Sequence, residues 1–412
     1  MDYALGVILF AAGIAVTIAL HEAGHMAAAR AFGMRVRRYF IGFGPTLWST
    51  KKGHTEYGLK AVPFGGFCDI AGMTALDPYT EDEKPYLMVD RPAWQRIAVM
   101  LAGVAVNIVL GIAIIFGVAL TWGLPPTKTV PVPAVVAETM CAPVTVADAG
   151  SCDGQGPAAD SGLRAGDTVT SVDGTGVTDF SSMAEVLGKI GSDAASRGVA
   201  VGDRVTVPAT VERDGRPVTV DLQVEVVQRL DEAGREVSTG AIGVRADNPN
   251  TRLIHYSVPG AVGGSLAYSG HVVAQTAQAL VDLPSRYWPV VESIFGGQRA
   301  EDSPVSVVGA SRAGGELVEH DQWMAFLLLL ANLNFFLAAF NLVPLPPMDG
   351  GHAVVVVYEK IRDWFRRRRG LAPGGPADYT RLLPVTYVVG AVLLVFGLTV
   401  MVADVVNPVR LF

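Results

Sequence analysis

The sequence predicts a polytopic α-helical membrane protein with four spanning helices, a cytoplasmic membrane-associated β-hairpin loop and one extracytoplasmic α/β domain. Three observations carry that fold class. Half of the 412 residues are apolar and only 17% are charged, against about 25% charged in soluble domains. Four apolar stretches approach or exceed the ~20 residues that a spanning helix needs. Between the second and third of them lies a long region with the strand and turn texture of a soluble domain. A net charge of −7 offers no basic surface to nucleic acid, and none is expected as a partner.

The first span, within residues 1–33, runs uncharged from Ala4 to Leu20 and resumes from Met26 to Ala29. It lacks the basic leading region of a cleavable signal peptide. The loop 34–92 follows. Here Gly42-Phe43-Gly44-Pro45 and Val62-Pro63-Phe64-Gly65-Gly66-Phe67 flank an alternating run from Glu56 to Lys60, the pattern of hairpin strands with Gly-rich turns. The second span, 93–124, is apolar from Ile97 to Leu124.

The extracytoplasmic domain occupies 125–250. Strands are expected at Thr168–Val172, Val205–Glu212 and Val218–Val227, with a helix near Ser181–Ile190. Asp173-Gly174 and Asp214-Gly215 supply the turns. Cys141 and Cys152 are close enough in sequence for a short bridge in an oxidising compartment, or else remain two unpaired thiols. Cys68 stands alone. The region 251–322 then returns to the membrane, and its Arg286-Tyr287-Trp288 suggests helices lying at the interface.

The third span, 323–352, is apolar from Trp323 to Leu345, and the fourth, 382–412, from Leu382 to Ala403. Between them the loop 353–381 carries Arg366 to Arg369, either against anionic headgroups or as a solvated linker. Nine Lys or Arg fall between Arg30 and Arg91. By the positive-inside rule both basic loops are cytoplasmic, which puts both termini and the α/β domain outside the plasma membrane.

Chemistry concentrates in the first span. His21-Glu22-Ala23-Gly24-His25 places two imidazoles four residues apart on one helical face, where both can reach one zinc ion. Glu22 is then placed as the general base that takes a proton from the attacking water. Ionisable residues inside a span are costly and point to function by default. A catalytic zinc takes three protein ligands. Asp349 ends the third span in Pro344-Leu345-Pro346-Pro347-Met348-Asp349-Gly350-Gly351, where three prolines forbid a continuous helix. It is the preferred third ligand, with His352 as the rival by chemistry. His54, His255, His271 and His320 are expected in loops.

These residues resemble the site-2 proteases, the zinc metalloproteases of regulated intramembrane proteolysis, and in particular their bacterial PDZ-containing branch. The resemblance covers essentially the whole chain and pairs His21-Glu22-x-x-His25 with Asn341…Asp349-Gly350. It implies a zinc site of His21, His25 and Asp349 with Glu22 as base, and a substrate-holding role for Asn341. It also implies that the loop near Glu56–Lys60 folds toward the active site as β-structure, whose edge can pair with unwound substrate. Asp302 to Gly309 resembles a stretch that precedes the third span in the family. Two departures are visible. Met348 replaces the usual Leu, and Gly103-Val104-Ala105-Val106-Asn107 lacks the usual Gly-Pro before Asn, which weakens any role for Asn107. Ser161-Gly162-Leu163-Arg164-Ala165-Gly166-Asp167 resembles the core of a PDZ domain, acting as a size filter.

The resemblance implies hydrolysis of peptide bonds in single-span membrane proteins, such as anti-sigma factors already trimmed by a site-1 protease. The alternative is a catalytically silent PDZ membrane adaptor, which would have no need of Glu22, both histidines and Asp349. A zinc transporter would show ionisable residues along a whole path, and the second and fourth spans have almost none.

Overall fold

Apolar length and one inward stripe define the first helix, α1 (Asp2–Ala31). Its Phe10, Ile14, Thr17, His21 and His25 are buried at the three- and four-residue spacing of a single helical face. Ile8, Leu9, Val16 and Leu20 on other faces are exposed. The computed structural model describes residues 1–74, 76–145, 154–230, 236–297, 299, 303–409 and 411. The expected Cys141–Cys152 pairing and the Asp302 end of the stretch before the third span fall partly outside these residues. The described chain divides into two compact units, one of Met1–Leu124 with His255–Phe412 and one of Pro125–Ile254.

In the first unit, α1 is followed by β1 (Val36–Lys52) and β2 (Thr55–Ile70) and then by α2 (Ala93–Thr121). The two strands are long enough to fold back on themselves. Residues 46–52 pair with 55–60, these pair with 36–41, and these in turn pair with 66–70. The result is an antiparallel sheet of four runs drawn from two strands. Its bends are the Gly-rich segments read as turns. Gly42 has φ +86°, and a Cβ there would lie 2.5 Å from the Val62 carbonyl oxygen, so both conformation and space demand glycine. The other edge of 66–70 has no strand partner among the described residues. At the base of the sheet Arg37 binds Glu83 at 2.8 Å and Asp77 at 3.0 Å. The guanidinium holds the Glu83 carboxyl below its usual range.

The second unit builds a β-rich domain from β3 (Val136–Thr139), a short α3 (Pro157–Asp160), β4 (Thr168–Val172), β5 (Thr175–Gly176), α4 (Phe180–Ser196), β6 (Arg204–Arg213), β7 (Arg216–Leu230), β8 (Glu236–Ala241) and β9 (Val244–Ala246). One sheet has the order β5-β4-β6-β7-β8, and β3 pairs with β9. The strands read from the sequence reappear with small extensions. Asp173-Gly174 and Asp214-Gly215 both take positive φ at both residues, as two-residue hairpin turns require. Helix α4 begins with a reciprocal cap between Asp179 and Ser182. It buries Met183 and Leu187 in a core shared with Val169, Val211 and Leu222.

Back in the first unit, the chain forms α5 (Val258–Ile294), α6 (Val307–Glu319), α7 (Trp323–Asn341), α8 (Asp349–Arg368) and α9 (Leu383–Val406). Helices α1, α2, α7 and α9 are long and apolar enough to cross a membrane, which bears out the four spans. Helix α7 ends at Asn341 rather than Leu345, because the prolines that follow cannot continue it. The region between the α/β domain and the third span holds one 37-residue helix, α5, and the shorter α6. His271 therefore lies within α5 and not in a loop. Ala261 and Val272 of α5 join Ile115 of α2 and Phe335 of α7 in one apolar cluster, and Val290 packs against Val400 and Ala403 of α9.

Helix α6 packs closely on α1. A Cβ at Gly6 would sit 2.7 Å from the Gly314 carbonyl oxygen. In lipid, where hydrophobicity does not drive helices together, such small-residue contacts are what permits close packing. At the other end of the unit Arg96 of α2 and Glu359 of α8 form an ion pair at 2.6 Å, both side chains less than a tenth exposed.

Candidate metal centre

His21 and His25 lie one turn apart on the buried face of α1, with their Nε2 atoms 3.1 Å apart. Their partner comes from the far end of the sequence. The run Pro344–Pro347 closes α7, and a new helix opens at Asp349, where a carboxylate is favoured by the unpaired N–H groups and the helix dipole. Gly350 and Gly351 do not serve there as a flexible tether. A Cβ at Gly350 would lie 2.4 Å from the Leu342 carbonyl oxygen, and one at Gly351 would lie 2.4 Å from Leu345. The two glycines let the proline loop fold flat onto the first turn of α8, which fixes the Asp349 side chain.

The outcome is one cluster of three donors. Oδ2 of Asp349 lies 3.3 Å from Nε2 of His21 and 3.3 Å from Nε2 of His25. Zinc bonds of about 2.0–2.1 Å in a tetrahedron require donor–donor edges of about 3.3–3.4 Å, so the triangle already has the size of one zinc face. The orientation of His25 is set by the hydrogen bond from its Nδ1 to the Val99 carbonyl oxygen, at 2.8 Å. That bond leaves Nε2 as the ligating atom, an arrangement typical of metal-binding histidines. No other group of three His, Cys, Asp or Glu side chains with this proximity occurs among the described residues.

Glu22 projects from α1 toward the sheet. A Cβ at Gly66 would come within 3.2 Å of its Cγ, so Glu22 faces the 66–70 run with its unpaired edge. Tyr39 in the neighbouring run donates a hydrogen bond to the Ala19 carbonyl at 2.6 Å and pins the sheet to the same helix.

The remaining sequence candidates separate. Asn341 is the last residue of α7, half-buried, and no hydrogen bond of its side chain occurs among the described residues. His352 is not part of the donor cluster. Asn107 is fully buried, and neither of its side-chain polar atoms has a hydrogen-bond partner among the described residues. Two features escaped the sequence reading. Gly103 walls the site so tightly that a Cβ would lie 2.4 Å from His25 Nε2 and 2.8 Å from His21 Nε2. Asn334, buried in α7, reaches Thr17 of α1 at 3.3 Å. A polar residue in an apolar helix is a readable signal for the second, whereas the first requires knowing which helix faces α1.

Comparison with known proteins places the chain in a family. The family model for peptidase family M50 matches residues 9–372. The chain is 44% identical to zinc metalloprotease Rip1 of Mycolicibacterium smegmatis, over the whole of both chains. It is 43% identical to the Rip1 of Mycobacterium tuberculosis, again over the whole of both.

Proposed function

The chain belongs to peptidase family M50 and is a multi-pass membrane zinc metalloprotease, and on that premise we propose that it cuts single-span proteins within the bilayer at a zinc site of His21, His25 and Asp349. The observation that carries this reading is the donor triangle of 3.1–3.3 Å built between the spanning helix α1 and the first residue of α8. His21, His25 and Asp349 would hold the zinc, which would supply Lewis acidity toward a carbonyl oxygen and water.

The chain's own residues do the rest. Glu22 takes the proton of the attacking water and passes it to the leaving amine. A helical substrate hides its carbonyls in its own hydrogen bonds and must first unwind. The unpaired edge of 66–70, beside Glu22, accepts it as an added strand, and Asn341 helps to hold that strand. The basic loops 34–92 and 353–381 are cytoplasmic, so the site lies toward the cytoplasmic side. The 125–254 unit acts as an extracytoplasmic PDZ module that admits substrates, such as anti-sigma factors, after a site-1 protease has trimmed them.

The test is a single-span anti-sigma reporter, truncated outside the membrane and reconstituted with the full-length enzyme. Wild type releases a cytoplasmic fragment and Glu22→Gln does not. Equal release by both would refute the assignment of Glu22 and with it the catalytic site.

A further inference from the structure

A cavity of about 390 Å³ opens one helical turn beyond Asp349. Ile70, Leu76, Val355 and Leu382 give it an apolar wall, and His352 and Tyr379 face it as well. The two aromatic rings are stacked with centroids 6.1 Å apart. Tyr379 is 8% exposed. Its hydroxyl and Nδ1 of His352 are both buried without a hydrogen-bond partner among the described residues. Both atoms are closed off from the cavity, so what it offers an occupant is the carbon of these rings and the aliphatic wall.

The position of the cavity indicates what that occupant is. Gly66, at one end of the free-edged run, lies against Glu22, and Asp69 and Ile70, at its other end, line the cavity. A strand rises about 3.3 Å per residue. A chain added along 66–70 with its scissile bond beside Glu22 therefore brings a side chain about three residues away to the cavity mouth.

We propose that this cavity is a specificity subsite, which accepts a large apolar substrate side chain two to four residues from the cut. Phenylalanine suits it best. Ile70, Leu76, Val355 and Leu382 hold it, and the rings of Tyr379 and His352 flank it. His352, a rival metal ligand by sequence, thereby has a different task. The inference rests on the protease reading above.

The experiment uses full-length enzyme in detergent with a proteome-derived peptide library, and cleavage positions are read by mass spectrometry. Wild type should favour Phe over Ala at one position two to four residues from the scissile bond. Val355→Trp, which fills the cavity, should lower the Phe-to-Ala ratio of kcat/KM there at least tenfold. Leu382→Ala trims the wall instead, so it tests the site even if the larger change prevents folding. It should lower the same ratio and leave cleavage of Ala-containing peptides unchanged. A wild type with no preference in that window, or an unchanged profile in both variants, overturns the subsite alone. A zinc-loaded wild type that cuts no peptide overturns the subsite together with the protease reading on which it rests.

Discussion

His25 presents its Nε2 atom 3.3 Å from Oδ2 of Asp349, although the two residues belong to the first and last thirds of the chain. The relationship depends on three independent devices. A hydrogen bond to Val99 turns the imidazole, a proline run ends α7, and two glycines let that run lie flat on α8. Each can be disturbed by itself.

The wall of the site is the first target. Gly103→Ala inserts a methyl group 2.4 Å from His25 Nε2 and should displace both imidazoles. Zinc affinity should fall by about 10–100-fold, the scale seen when the groups that orient metal ligands are disturbed. Competition with a zinc chelator measures this. Unchanged affinity would show that α2 does not crowd the ligands.

Glu22→Gln keeps size and hydrogen bonding and removes the base. Cleavage of the truncated reporter should drop by about 10²–10⁴-fold, the usual weight of general acid–base catalysis, with zinc content unchanged. Loss of zinc together with activity would instead make Glu22 part of the metal site.

The Arg96–Glu359 pair fastens α8, which carries Asp349, to α2. Glu359 also accepts a hydrogen bond from the Ala377 amide at 2.7 Å. Glu359→Ala leaves Arg96 buried and uncompensated, and should destabilise the fold by about 3–5 kcal/mol. Replacing both residues with Met should cost less than that single change. Thermal unfolding in detergent decides the order, and a milder effect for the single variant would contradict a buried pair.

In the 125–254 unit Asp167 is clasped by Arg213 at 2.7 and 2.8 Å, which holds its carboxyl below the usual range. The sign follows from the depressed value. The stabilisation is fully present above the unfolded pKa of about 3.9 and is lost as pH falls through the lower folded value. Wild type should therefore resist proteolysis of 125–254 better than Asp167→Asn at neutral pH, with the gap closing in strong acid. A gap that persists there would assign the effect to packing.

Much of this was legible in the sequence, for local reasons. His21 and His25 announce themselves by helical spacing, Asp349 by the prolines around it, and the two Asp-Gly hairpins by their turn chemistry. The illegible parts are those in which distant segments meet. Nothing near residues 36–41 says that they pair on both sides, and nothing in Gly6 or Gly314 says that they touch. Glu359 reads as one more charge on a polar helix until Arg96 is placed opposite. His352 was chemically eligible as a ligand, and only the start of α8 at Asp349 decides which of the two side chains reaches the histidines.

The central claim is that α1 and the first residue of α8 build one metal site, and zinc per chain tests it without knowledge of any substrate. Detergent-purified wild type should contain about one zinc per chain for a single three-ligand site, and well-folded Asp349→Ala should lose most of it. Full zinc in the variant, or none in well-folded wild type, would contradict the account.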